Sequence, residues 1–331
     1  MAGRVMKAIR VAQFGGPEVL KLVSDMPIPQ PASKQVLIKV FVAGVNPADT
    51  YIRDGKYPVL PTLPYTPGGD VAGVVEEVGP DVTKFKKGER VYTVRTVTGA
   101  YAQYTVASTD LTFHLPDELN FSQGATAGSP YFTAYRALVL RGSPKAGEIV
   151  LVHGASGNVG IAACQLARSL GLRVIGTAGT EDGMNLVLKN KAHMAFNHRE
   201  AGYEDKIKAA TGGKGVDIIL EMLANVNLER DIGLAASRGR IVIIGNRGNI
   251  EINPRGTMAK EVDIRGMALF SSTPEEFKVM AAGVNAGLEA GILKPHVGTE
   301  YPLVDAPKAH VHVIQQEGGT KGRIVLSCSN L

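Results

Sequence analysis

The sequence predicts an α/β protein, built from a doubly wound parallel sheet and a mostly antiparallel β domain. Three observations carry the prediction. The first third of the 331-residue chain is a succession of short alternating or β-branched runs separated by turn residues. From about residue 124 the rhythm changes to near-continuous apolar runs alternating with helical stretches, as expected for parallel strands buried on both faces. A glycine-rich turn, Gly154-Ala-Ser-Gly157-Asn-Val-Gly160, joins the first of those runs to the first helical stretch.

The early strand candidates are 6–15, 20–25, 35–45, 68–79, 89–94 and 100–106. Gly15-Gly16-Pro17, the stretch 27–31, Gly79-Pro80-Asp81 and Lys87-Gly88 break them. The later strand candidates are 149–153, 172–177, 194–197, 216–221, 240–245 and 264–269. Six strands with helical crossovers complete a doubly wound sheet. In the first crossover, Val159, Ala163, Leu166 and Leu170 share one helical face. A helix over 274–290 is opened by Thr273 as N-cap, with Glu276 three residues on. The tail returns to β-like text at Tyr301-Pro302-Leu303 and over 322–326, and is expected to pack on the first domain. The reading gives one domain from 1–123 with 293–331, and a second over 124–292.

Composition narrows the function classes. Apolar residues make up 44% and charged residues 20%, the balance of a globular protein and not of a disordered one. The net charge of +5 is scattered, so the concentrated stripe of a dedicated nucleic-acid binder is missing. Two cysteines allow no disulfide framework and point to a reducing compartment. No signal-peptide core and no membrane-length apolar run is read, so the expected location is the cytoplasm.

The glycine-rich turn has the context that dinucleotide binding needs: a strand before it, an amphipathic helix after it, and a second strand at the right interval. Gly157 lets the backbone approach a pyrophosphate, Gly160 permits close helix packing, and the helix N-terminus offers unpaired N–H groups. Ser156 and Asn158 add side-chain donors. The first glycine of the usual fingerprint is replaced by Ala155. This is a Rossmann-type cradle. NAD enzymes place an acid at the tip of the second strand to hold the ribose 2′-hydroxyl. Here the tip reads Gly176-Thr-Ala-Gly179-Thr180, and Glu181 comes later. The missing acid favours NADPH, with Gly179, Thr180, His198 and Arg199 as candidate partners of the extra phosphate. An ordinary solvated loop pair is the alternative for His198 and Arg199.

No metal is expected. A catalytic zinc needs three protein ligands, and the only close-spaced pair is His310-x-His312, read as surface histidines in a strand-like tail.

Several segments resemble a known family. Gly68-Gly-Asp70-Val-Ala-Gly73-Val-Val-Glu-Glu-Val-Gly79 resembles the medium-chain dehydrogenase/reductase signature, with Gly69-Asp70 where zinc members have His-Glu. Gly157-Asn-Val-Gly160 with Gln165 and Arg168 resembles the zinc-free quinone oxidoreductase branch, with Asn158 replacing a glycine. Gly44-Val-Asn46, Pro130-Tyr-Phe-Thr133, Phe196-Asn-His198, Glu221-Met-Leu-Ala-Asn-Val-Asn227, Gly245-Asn-Arg-Gly248 and Leu269-Phe-Ser-Ser extend the likeness over essentially the whole chain, towards the ζ-crystallin-type members. The resemblance implies a GroES-like domain and a Rossmann domain with NADPH between them, and a cytosolic homotetramer. It implies cofactor contacts from Tyr51, Ser156, Gly157, Asn158, Val159, Gly179, His198, Asn227, Ile244, Gly245, Asn246 and Arg247, with Phe270 near the nicotinamide; Thr133, with Thr180 and Arg199 named above, is a further cofactor-binding candidate. Such enzymes reduce ortho-quinones, reportedly in one-electron steps. Some bind AU-rich RNA, and some accumulate in lens as a crystallin. Reduction of enones or alkenals is the enzymatic alternative.

Asn46, Tyr51 and Tyr57 are read on one loop and are the candidate catalytic residues. Tyr51 would pack on the cofactor, while Asn46 and Tyr57 would orient the acceptor. The alternative is that they only structure the loop.

Overall fold

In the computed structural model, which describes residues 4–316 and 318–328, the chain forms two compact units. One takes the chain up to Ser129 and two C-terminal segments, which begin at Pro295 and at Arg323. The other takes Pro130–Lys294 together with Gly318–Gly322 from the C-terminal region.

The first unit contains β1 (Val5–Arg10), β2 (Lys21–Pro27), β3 (Gln35–Gly44), α1 (Pro47–Arg53), β4 (Val71–Val78), β5 (Arg90–Thr93), β6 (Tyr104–Ser108) and β7 (Thr112–His114). It also holds the first half of α2 (Phe121–Tyr135). Strands β1 and β2 pair as an antiparallel ribbon. The larger sheet centres on β3, which pairs antiparallel with β4 and β6. Its inward residues Val36, Ile38 and Val40 meet Val71, Val75, Val91 and Tyr101 in one apolar core. Each such side chain contributes about 1.5–3 kcal/mol by leaving water.

Two local expectations are corrected in this unit. The segment carrying Tyr51 is the helix α1 and not a loop: Pro47 at its first turn fixes a helical φ, and the Asn46 N–H donates to Asp49 Oδ2 at 2.9 Å. Residues 100–103 leave the sheet, because the Tyr101 N–H donates to Pro67 O while its carbonyl accepts from the Ile9 N–H.

The second unit contains β8 (Ile149–Val152), α3 (Asn158–Ser169), β9 (Arg173–Ala178), α4 (Glu181–Lys189), β10 (Met194–Asn197), α5 (Tyr203–Ala210), β11 (Val216–Glu221), α6 (Ala224–Leu234), β12 (Ala235–Ile243), α7 (Pro254–Lys260), β13 (Asp263–Gly266) and α8 (Pro274–Glu289). Its six strands are all parallel in the order β10-β9-β8-β11-β12-β13, the expected doubly wound sheet. Leu151, Ile175, Ile219 and Ile241 lie fully buried in its core. The Thr273 cap and its reciprocal bonds with Glu276 open α8 as expected. Strand β12 begins at Ala235, ahead of the apolar run at 240, passing through the exposed Ser237 and Arg238.

The chain then returns to the first unit with β14 (Val297–Pro302), α9 (Ala306–Gln315) and β15 (Arg323–Ser327). Strand β15 pairs antiparallel with β3. His310 and His312 therefore sit on a helix and not in a strand, and His310 is buried. The helical spacing of Ala306, Ala309, His310 and Val313 explains it: Ala306, Ala309 and Val313 all pack on the apolar core.

Candidate active site

The cradle runs from the end of β8 to the start of α3. Gly154 takes the left-handed turn, with φ of 55°, so the alanine at 155 can face inward fully buried. Gly157 is the N-cap of α3. Gly160 is required by contact: a Cβ there would lie 2.5 Å from Ala155 Cα. Ser156 is buried, while Asn158 and Val159 are half-buried at the head of the helix. The helix thus directs its first-turn N–H groups and the positive end of its dipole toward this turn.

Next to the cradle is the tip of β9. Gly179 lies under the His198 and Arg199 side chains: a Cβ on it would sit 2.8 Å from Arg199 Nε and 3.0 Å from His198 Nε2. Thr180 caps α4, its hydroxyl accepting from the Gly183 N–H at 3.1 Å. The acids Glu181 and Asp182 fall inside the first turn of α4, past the tip. Burial, then the neighbouring His153 and Arg199, hold His198 below the usual histidine range. Arg199 therefore brings the positive charge at neutral pH.

The far wall comes from the ends of β11 and β12. Ile244 and Gly245 both donate backbone N–H groups to Glu221 O, and Gly245 comes so near that a Cβ would meet Met222 O at 2.2 Å. Asn227 donates from Nδ2 to Glu221 Oε1 at 3.2 Å. Asn246 folds its amide onto Gly248 O, and the Arg247 N–H donates to Asn225 Oδ1. Phe270 belongs to another grouping. It stacks on Phe277 at 6.3 Å, and Phe277 in turn approaches Phe132, the neighbour of Thr133 on α2.

In the first unit, Asn46 is drawn into a buried network. Its Nδ2 donates to Asp70 Oδ2 at 2.9 Å and its Oδ1 accepts from Arg323 Nη1 at 2.7 Å. Arg323 Nη2 pairs with Asp70 Oδ2 at 2.6 Å. The Ser129 N–H and Oγ–H both donate to Asp70 Oδ1, at 2.8 and 2.6 Å. This geometry needs two glycines. A Cβ on Gly44 would collide with the Arg323 guanidinium, and one on Gly128, where α2 kinks, would lie 2.6 Å from Asp70 Oδ1. Both Asp70 oxygens are taken up by four donors, so its lone pairs are spent on the protein. Tyr51 is half-buried on α1, and Tyr57 is exposed, as are Val59 and Leu60 after it.

A second network braces α1. The Arg53 guanidinium can only donate, so His310 Nδ1 accepts from it at 3.2 Å. Nε2–H of His310 then donates to the Tyr101 hydroxyl at 3.1 Å, which donates to Asp49 Oδ2 at 3.1 Å. Burial, with Arg53 adding to it, depresses His310 to about 3. Burial raises Asp49 to about 6.

Sequence reasoning missed three features. The Asp70–Arg323 pair joins residues 253 positions apart. The strap Gly318–Gly322 lies on the cradle, its Gly322 N–H donating to Ser156 O at 2.9 Å and Lys321 pairing with Asp182 at 2.7 Å. The run Gly318-Gly-Thr-Lys-Gly322 is a visible loop signal, but nothing in it names its destination. Third, His153, Glu221 and Asp231 form a buried cluster under the cradle.

A model of the alcohol dehydrogenase GroES-like domain matches residues 32–117, and one described as zinc-binding dehydrogenase matches residues 158–285. Human quinone oxidoreductase is 57% identical over 98% of each chain. Among solved structures, the Escherichia coli quinone oxidoreductase complexed with NADPH superposes with a TM-score of 0.88 at 32% identity, covering 97% of this chain and 99% of that one. A mycobacterial protein complexed with NADPH gives a TM-score of 0.88 at 33% identity, with the same coverage.

Proposed function

The chain belongs to the quinone oxidoreductase family of medium-chain dehydrogenases/reductases, and from this we infer that it is an NADPH-dependent oxidoreductase acting on a quinone. One observation carries the cofactor choice in this chain itself: the tip of β9 ends in Gly179 beneath Arg199, with no carboxylate until Glu181. An acid at the tip would hold a ribose hydroxyl, whereas a guanidinium over a glycine suits a phosphate.

The residues fit the group. Ser156, Gly157, Asn158 and Val159 would hold the diphosphate, and Gly179, Thr180, His198 and Arg199 the adenosine end. Asn227 and Ile244–Arg247 form the adjoining wall, and Tyr51, Thr133 and Phe270 are proposed at the nicotinamide end. NADPH supplies the hydride. Asn46 is held rigid by Asp70 and Arg323, with one Nδ2 hydrogen left to offer an acceptor oxygen as negative charge develops. Tyr57, on an exposed apolar run, is proposed to orient the acceptor ring. No step is assigned to zinc: Gly69 has no ligand atom, and Asp70 is saturated.

The finer reading is an ortho-quinone acceptor, reduced in one-electron steps, in a cytosolic homotetramer. Turnover of NADPH and of NADH with an ortho-quinone and with an enone tests it. NADPH with the quinone is expected to be fastest, and a faster enone reaction would transfer the assignment to alkenal and enone reduction. Tyr57→Phe is expected to lower kcat/KM for the quinone with NADPH affinity unchanged; equal kinetics remove Tyr57 from the mechanism. Light scattering checks the tetramer, and a salt-dependent titration with AU-rich RNA checks the RNA-binding reading.

A further inference from the structure

Beneath the cradle lies a cluster whose hydrogen bonds do not close without an added proton. His153 follows β8 directly and precedes Gly154. Glu221 is the last residue of β11, and Asp231 lies on α6. Strands β8 and β11 are neighbours, and between them the strand order reverses, the position at which open α/β sheets take their ligands. Glu221 and Asp231 are 0% exposed and His153 is 3% exposed.

His153 Nε2 lies 2.8 Å from Asp231 Oδ1 and 3.6 Å from Glu221 Oε2. Glu221 Oε1 accepts from the Leu223 N–H and from Asn227 Nδ2. Glu221 Oε2 and Asp231 Oδ2 have no donor among the described residues, and one oxygen of each carboxyl group lies within 4.8 Å of one of the other. Two buried carboxylates this close, each with an oxygen lacking a donor, are costly, and one proton turns one of them into a donor.

We propose that Glu221 is a positioning residue that holds a proton against Asp231 at neutral pH, and that dinucleotide affinity follows this proton. The inference rests on the reading of this unit as a dinucleotide site. Burial first, and the charge of Asp231 with it, push Glu221 up to about 7, with His153 opposing them. Burial works to lower His153, but Asp231 and Glu221 outweigh it and hold the ring above its usual range.

The other groups facing the cluster leave this balance in place. From β9, Thr177 Oγ1 lies 3.4 Å from His153 Nδ1 and also accepts from the Gly154 N–H. His198, after β10, is held below its usual range, and Tyr203 on α5 above its own. Arg230 on α6 pairs with Glu204 at 3.6 Å. With the proton in place Glu221 is a neutral carboxylic acid, and the cluster carries one negative charge fewer. Without it, a buried negative charge stands behind the turn that takes the diphosphate.

The expected result is a weakening of dinucleotide binding by roughly tenfold between pH 6 and pH 8.5, equivalent to about 1.4 kcal/mol of added repulsion from one unit charge. The test is a fluorescence titration of the full chain with NADPH and with NADH across that range, for wild type and Glu221→Gln. NADH is included because the 2′-phosphate of NADPH itself titrates near pH 6. Glu221→Gln keeps the Oε1 acceptor and cannot ionise, so its affinity is expected to lose this pH dependence for both ligands. Parallel profiles in the two proteins overturn the proposal.

Should Glu221→Gln fail to fold, Asp231→Asn replaces it. Calorimetry of the wild type in two buffers of different ionisation enthalpy then reads the proton directly. Net proton uptake with NADH at pH 7.5 supports the proposal, and none overturns it. Stoichiometric divalent metal in the purified protein also overturns it, by replacing the proton. Failure of the wild type to bind either dinucleotide at any pH defeats the underlying dinucleotide reading instead.

Discussion

The proposed cofactor selection turns on a missing side chain at Gly179. A Cβ at that point would press on Arg199 and His198, so the guanidinium lies where an acid would otherwise stand. Gly179→Asp supplies that acid, pairs it with Arg199 and sets it against an incoming phosphate. NADPH affinity is expected to fall by about ten- to a hundredfold, the worth of one charge-assisted hydrogen bond, with NADH affinity held or improved. Titration with both cofactors checks it, and an equal loss for both would remove Gly179 from the selection. Arg323 is the counterpart in the first unit. Arg323→Met leaves Asp70 buried and unneutralised, and is expected to lower the unfolding free energy by about 3–5 kcal/mol in a urea titration. A loss under 1 kcal/mol would mean that the pair contributes little. The cradle residues are legible in the sequence because they are contiguous and their motif has one physical purpose. The bonds that hold Asn46 and Asp70 are not, because their partner Arg323 joins them only after the chain has closed its sheet.

At the scale of elements, α1 and α9 are tied through Arg53, His310, Tyr101 and Asp49. The two titrating members act in opposite directions. His310, depressed to about 3 in the fold from an ordinary 6.5, adds stability that is full above pH 6.5 and is lost as the pH falls towards 3. Asp49, raised to about 6 from 3.8, adds stability that is full below 3.8 and is lost as the pH rises through 6. The His310 shift is the larger, so this network favours the fold at neutral over acid pH. His310→Gln removes the larger part, and thermal melts between pH 4.5 and 7 are expected to show a smaller acid loss than wild type. Identical slopes would mean that His310 does not carry it. Neither helix is evident from the sequence. Helix α1 is short and is cut off directly by Asp54-Gly55, so little period shows, while two histidines two apart suggest a strand face. The longer α8 is legible because its cap and its periodicity agree.

The whole chain divides into a unit legible as alternating β text and one legible as buried parallel strands, each periodicity reflecting how its strands are covered. What local pattern cannot supply is which distant segments meet. The Gly318–Gly322 strap belongs with the nucleotide unit although its flanks pack with the other. His153, Glu221 and Asp231 come from two strand ends and a helix. The central claim is that the turn from Gly154 to Gly160 takes a diphosphate and that the bare tip of β9 beneath Arg199 selects a phosphorylated ribose. A direct titration of the purified protein with NADPH and with NADH at one pH and salt concentration tests it. The account predicts NADPH bound at least about tenfold more tightly, a difference of about 1.4 kcal/mol. Equal dissociation constants, or a preference for NADH, would contradict it.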